Sequence, residues 1–220
     1  MSAHGMFSLR LSFQVALVVT FFALLAGVPV AYVLARKNFL GKELLDALFT
    51  LPLVLPPTVT GYYLIVILGR NGFLGRPLYE LTGWTAMFTW WAAAAASFIV
   101  SIPLMIRTSR AAMESVDQKL IDASYTLGHG ELRTALSVVV PLAKRGIIAG
   151  AVLSFARAIG EFGATLMFAG DIPGRTETMP LAIYSYLENG EWARARTMVI
   201  ILTVLSVSVI YMANRLSKKF

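Results

Sequence analysis

Long uncharged stretches alternate with shorter polar ones along this chain. Leu11–Ala35 is free of Asp, Glu, Lys and Arg for 25 residues, Ala47–Gly69 and Leu81–Ile106 are equally uncharged, and Thr197–Asn214 closes the series. A fourth apolar run, Gly146–Gly170, differs in carrying Arg157 and Glu161. At 1.5 Å per helical residue, about 20 apolar residues cross a hydrocarbon layer of about 30 Å. The pattern therefore predicts about five transmembrane helices, near residues 11–35, 47–69, 83–106, 146–170 and 197–214. The fold class is an all-α polytopic membrane protein, one transmembrane domain over 1–220. The first run is too long for the core of a signal peptide and ends directly in Arg36 and Lys37, so it reads as an uncleaved span.

Composition agrees. The 220 residues are 57% hydrophobic and 14% charged, with mean hydropathy +0.71, which leaves no room for a large soluble domain beside the spans. The chain has no cysteine, which excludes disulfides and thiolate metal sites. The histidines, His4 and His129, are far apart in sequence and read as solvated or capping residues rather than metal ligands. The net charge of +7 is not gathered as on a nucleic-acid-binding face. Counted by connection, twelve Lys and Arg fall on one side of a five-span layout and six on the other, with Arg157 inside a span. The positive-inside bias then places the N-terminus outside, the C-terminus in the cytoplasm and the 107–145 loop in the cytoplasm.

Proline and glycine mark where the spans are irregular. Pro29 falls within the first run. Pro52, Pro56 and Pro57 cannot sit in one straight helix. Backbone freed there must be buried in protein or line a wet path, and Thr58 and Thr60 are placed to re-satisfy it. Trp84, Trp90 and Trp91 read as an interfacial belt, and Ala92–Ala96 as a smooth surface for close helix packing. Arg157 and Glu161 are four apart, share a helix face and can pair. Charges at that depth either hold helices together or belong to a gate or pathway. Between the fourth and fifth spans, Leu181–Leu187 reads as a short helix lying at the outer surface.

The most specific local signals lie in Ile121–Pro141, IDASYTLGHGELRTALSVVVP. Ser115 and Gln118 have capping-box spacing, with Asp117 as an alternative N-cap. Nothing breaks a helix from Gln118 to Thr126, and Gly128 supplies the residue that tolerates positive φ at a helix end. Ala123 and Ser124 give that helix a small-residue patch.

This loop resembles that of the inner-membrane subunits of bacterial ABC importers, which reads E-A-A, three residues, G, nine residues, I-x-L-P. Asp122-Ala123-Ser124 takes the first place, Gly128 follows after three residues, and Val138, Val140 and Pro141 hold the last positions. Asp for Glu, Ser for Ala and two Val for Ile and Leu depart from the pattern, while its spacing is kept. LPLVLPPTVTGY, ARAIGEFGATLMFAG and DIPGRTETMPLAIY further resemble the permease subunits of molybdate importers, with sulfate and tungstate permeases close behind. The resemblance covers roughly residues 41–187.

It implies a type I ABC-importer permease fold in the bacterial inner (plasma) membrane, and a transport subunit rather than an enzyme. The implied partners are a second copy of the chain, two ATP-binding cassette subunits and a periplasmic oxyanion-binding protein, in a setting of membrane lipid and without nucleic acid. No cofactor is expected in this chain; ATP and magnesium belong to the partner ATPase. Asp122, Ala123, Ser124, Leu127, Gly128 and Pro141 would couple to that ATPase, with no catalytic or metal role. Thr58, Arg157 and Glu161 are the pathway or gate candidates. An ion-gradient-driven secondary carrier is the alternative of another class, but it would usually show two related halves, and no internal repeat is visible.

Overall fold

The computed structural model describes residues 3–219; Met1, Ser2 and Phe220 lie outside the described residues. It is all-helical, without strands among the described residues. In order come α1 (Ala3–Arg36), α2 (Lys42–Val54), α3 (Pro57–Leu68), α4 (Gly75–Thr82), α5 (Trp90–Glu114) and α6 (Gln118–Thr126). Then follow α7 (Glu131–Thr134), a π-helical turn (Ala135–Val139), α8 (Val140–Leu142), α9 (Lys144–Ile159), α10 (Gly163–Ala169), α11 (Met179–Glu188) and α12 (Trp192–Lys219). Three helices are long and apolar enough to cross a membrane: those at His4–Arg36, Trp90–Glu114 and Trp192–Tyr211. Two bent pairs raise the number to five if each counts as one span. They are Lys42–Val54 with Pro57–Leu68, bent by 117°, and Glu131–Leu142 with Lys144–Ile159, bent by 74°.

The two larger core clusters lie where α1, α5 and α9 pack together, and a smaller one joins α11 to α12. Toward the N-terminal end of α1, Val15, Ala16 and Val19 meet Ala92, Ala93 and Ala96 of α5 and Phe168 of α10. The three alanines are wholly buried, so this small-residue run lets two long helices approach closely, as its sequence predicts. Toward the other end, Ala31 and Leu34 of α1 meet Ile106 and Met113 of α5, Ile121 of α6 and Val139 of the π turn. Gly146 is needed where α9 crosses α5: a Cβ there would lie 2.2 Å from the Ala112 Cβ.

The helices run past the expected spans at several ends, and the second breaks at its prolines as the sequence predicts. The first helix begins at Ala3 rather than near Leu11, because its N-terminal turns carry partners for a distant loop. It also continues unbroken past Pro29. The third begins at Trp90, after an N-cap at Thr89 in extended backbone, and not near 83, where Gly83 ends α4 at φ 67°. It continues to Glu114, so the polar loop starts after Glu114 and not at 107. Arg110 holds this extension through Glu114 at 2.7 Å and Asp46 at 3.0 Å. The second and fourth spans are broken, at Leu55–Pro56 and at Gly160–Phe162. The helix expected at the outer surface, Met179–Glu188, is instead packed inward: Met179, Leu181 and Ala182 are fully buried, with Met179 and Ala182 against Ala195 and Met198 of α12.

Candidate functional site

The polar segment that follows α5 is mounted on the end of α1. Arg36, the last residue of α1, donates from Nη2 to the carbonyls of Met113 and Val116, the latter at 3.0 Å, and from Nη1 to Gln118 Oε1 at 3.3 Å. A cation is favoured there because the last carbonyls of α5 have no helical partner. Next to it, Lys37 Nζ donates to Glu131 Oε2 at 2.6 Å. That bond holds the Lys37 pKa above its ordinary value of 10.5.

Asp117 is the N-cap of α6, its carboxylate accepting from Lys119 N at 2.9 Å, so of the two caps open in the sequence Asp117 is the one used. The helix spans Gln118–Thr126 and turns out through Gly128 at φ 80°. Ile121 and Ser124 face inward. The Ser124 hydroxyl lies 3.1 Å from His129 Nδ1 and 2.9 Å from Thr134 Oγ1, and His129 N donates to the Ser124 carbonyl at 3.2 Å. His129 thus has the capping role its sequence context predicts. Ala123 and Ser124 do not form one patch: Ala123 is exposed and Ser124 is buried by its own hydrogen bonds.

The other face of the segment is open. Leu127 is 77% and Leu132 73% exposed, with Leu120 and Tyr125 nearly half exposed beside Asp122, Ala123 and Gly128. The π turn at Ala135–Val139 directly precedes Pro141. Proline lacks an N–H and its ring clashes with the carbonyl four residues back, here Ser137, so a wider turn is the relaxed solution.

The two broken spans meet break against break. A Cβ on Gly163, at the start of α10, would lie 2.7 Å from the Pro57 Cβ at the start of α3; one on Gly61 would lie 2.6 Å from the Met167 Cβ. At the second break Arg157 Nη1 and Glu161 Oε2 are 2.7 Å apart, as the spacing predicts. Glu161 is buried and also accepts from Ala164 N at 2.9 Å, so it fastens both sides of the break. Arg157 remains about one-third exposed. Thr58 is exposed and Thr60 is buried with its hydroxyl unpartnered, so neither threonine re-satisfies the freed backbone. The Pro56 carbonyl is taken instead by the N–H groups of Val59 and Thr60.

A further polar centre went unread in the sequence. Glu177 is fully buried, with Ser8 Oγ donating at 2.7 Å and His4 Nε2 at 2.7 Å from Oε2. His4, about one-third exposed, is thus a hydrogen-bond partner of Glu177. Ser12 Oγ accepts from Met179 N at 2.7 Å, so His4, Ser8 and Ser12, on three successive turns of α1, hold the entry to α11. The available signal was a lone acid in TETMP among threonines, too short to point 170 residues back.

Comparison with known proteins places this geometry. The family model for the binding-protein-dependent transport system inner membrane component matches residues 23–220. The molybdenum transport system permease protein ModB of Escherichia coli K12 is 45% identical over 91% of this chain and 88% of its own length. That of Haemophilus influenzae is 42% identical over 96% and 95%. The sulfate transport system permease protein CysT of Salmonella typhimurium is 33% identical over 96% and 76%. Among solved structures, a chain of the inward-facing MetNI methionine ABC transporter superposes with TM-score 0.76 at 18% identity, covering 100% of this chain and 99% of that one. A chain of a bacterial alginate ABC importer superposes with TM-score 0.79 at 11% identity, covering 100% and 81%.

Proposed function

The chain belongs to the family of binding-protein-dependent transport system inner membrane components, and on that premise we propose that it is the membrane-spanning subunit of a molybdate importer. It is an inner-membrane transport subunit of the ABC-importer type and not an enzyme. In this reading two copies form the path, two ATPase subunits bind ATP and magnesium, and an external binding protein delivers the oxyanion. The N-terminus lies outside and the C-terminus in the cytoplasm, in line with the charge count. The 115–145 segment then faces the ATPase, and the Gly170–Thr178 turn faces the binding protein.

The observation that carries the coupling role is the form of α6. It is capped at both ends, anchored by Ile121, Ser124 and Arg36, and offers an exposed apolar face around Leu127. Such a body transmits a push without deforming. ATP binding closes the ATPase pair, the segment carrying Asp122, Ala123, Leu127 and Gly128 moves with it, and Ser124 and Pro141 pass the displacement into α9. The path then turns outward to receive the anion, and hydrolysis resets it. Arg157, Glu161 and Thr58 sit at the two breaks, where backbone can hinge. The molybdate reading draws on the higher identity to molybdenum permeases than to the sulfate one.

The test is ATP hydrolysis by the assembled transporter in liposomes, with binding protein added empty, loaded with molybdate or loaded with sulfate. Stimulation by the molybdate-loaded form alone is the expected result. Stimulation by sulfate alone moves the chain to the sister substrate, and activity without any ATPase subunit returns it to a gradient-driven carrier.

A further inference from the structure

Between the first two thirds of α1 and the start of α5 lie two neighbouring hollows, which together make a groove in two parts. The outer part is a cavity of about 430 Å³ lined by Phe7, Arg10, Gln14, Trp90, Gly174 and Arg175. Neither guanidinium makes a side-chain hydrogen bond or ion pair among the described residues, and no carboxylate lines the cavity. The inner part, of about 240 Å³, is lined by Val18, Val19, Phe22, Trp91, Ala94 and Phe98 and is entirely apolar. The two parts are consecutive along the same helix pair: Gln14 and Val18 are one turn apart on α1, and Trp90 and Trp91 divide them. Their rings stack at 3.9 Å, Trp90 lining the upper cavity and Trp91 the lower.

We propose that this groove binds an anionic phospholipid of the outer leaflet, its phosphate on Arg10, Gln14 and Arg175 and an acyl chain between α1 and α5. The inference rests on the membrane-spanning reading of α1 and α5, but not on the identity of the transported anion. Charge complementarity selects the headgroup: two unpaired guanidiniums and an amide with no competing acid suit a phosphodiester. The apolar continuation selects a lipid over a free oxyanion, which would leave the lower groove unfilled. The tryptophan pair marks the boundary level where aromatic rings settle in a bilayer. A lipid held here touches α1, α5 and the Gly174–Arg175 turn at once.

The experiment is native mass spectrometry of the assembled, delipidated transporter with short-chain phosphatidylglycerol, phosphatidylcholine, inorganic phosphate or molybdate added. Phosphatidylglycerol should bind more tightly than phosphatidylcholine by about thirtyfold, at roughly fivefold per arginine beyond the shared acyl term. The R10Q/R175Q pair should remove that preference and keep the acyl term. In the unsubstituted chain, phosphatidylglycerol with a photoreactive acyl chain should label residues 18–22 and 94–98. Equal binding of the two lipids, binding of phosphate or molybdate that R10Q/R175Q abolishes, or labelling confined to other segments would each overturn the site. The last outcome is also expected if a second copy of the chain covers the groove. Failure here leaves the ATP-hydrolysis test untouched.

Discussion

The two polar ends of this molecule are fastened in opposite ways. At one end, α6 and the residues after it are held mainly by near neighbours: Asp117 to Lys119, Ser124 to His129 and Thr134. Its distant side-chain ties come from one point, Arg36 and Lys37 at the end of α1. At the other end, the turn before α11 is woven into α1 by Glu177 to Ser8 and His4 and by Met179 to Ser12. A segment with internal bonds and one mounting point can move as a unit. A turn bonded along three helical turns of α1 moves only with α1. The contrast suits the proposed coupling role of α6, in which one end is pushed and the other stays with α1.

The sharpest way to break this comparison is Glu177→Ala. It removes a buried acceptor and leaves Ser8 and His4 without their partner, and thermal unfolding of the purified chain should show a loss of about 3 kcal/mol. Glu177→Gln, which keeps an acceptor for Ser8, should lose about 1 kcal/mol. Melting of the alanine variant at the parent temperature would mean the turn before α11 is not fastened at all. Second in size is Ser124→Ala, which strips partners from Thr134 and His129 and should cost about 1–2 kcal/mol. Its distinctive effect is functional: ATP hydrolysis continues while uptake into vesicles falls. Uptake that keeps pace with hydrolysis would show that the hub does not transmit. Gly128→Ala is third. Open space surrounds the position, so only backbone strain at φ 80° acts, at roughly 1 kcal/mol, and Gly128→Asn should recover most of it.

The same contrast explains what the sequence disclosed. Bonds among near neighbours leave a local signature, so Asp117 as cap, the Gln118–Thr126 helix, positive φ at Gly128 and the Arg157–Glu161 pair were all readable. The alanine run of α5 was readable because a surface without side chains has one use in a membrane. Glu177 was not, since its partners lie about 170 positions away and nothing near it predicts burial. Helix ends were not legible for a related reason: hydropathy marks the apolar layer, whereas helices continue past it wherever polar partners wait, as Arg110 does with Asp46 and Glu114. The inward face of Ser124 was hidden because its partner Thr134 follows a turn whose direction depends on tertiary packing.

The smallest expected effect, at Lys37, sharpens the α6 half of the comparison. Lys37 and Glu131 are 2.6 Å apart but both nearly half exposed, so water and salt screen the contact. The Glu131 hydrogen bond raises the Lys37 pKa above 10.5, against a smaller opposing effect of burial. A raised lysine pKa adds stability below the unfolded value, and that stability is lost as pH rises through the folded one. The difference in melting temperature between the parent chain and Lys37→Gln should therefore be flat through neutrality, shrink only above about pH 10.5, and vanish in roughly molar salt. A difference that survived high salt would make Lys37–Glu131 a shielded tie of the Glu177 kind. The mounting of the α6 segment on the end of α1 would then be as firm as that of the turn before α11, and the contrast between the two ends would be lost.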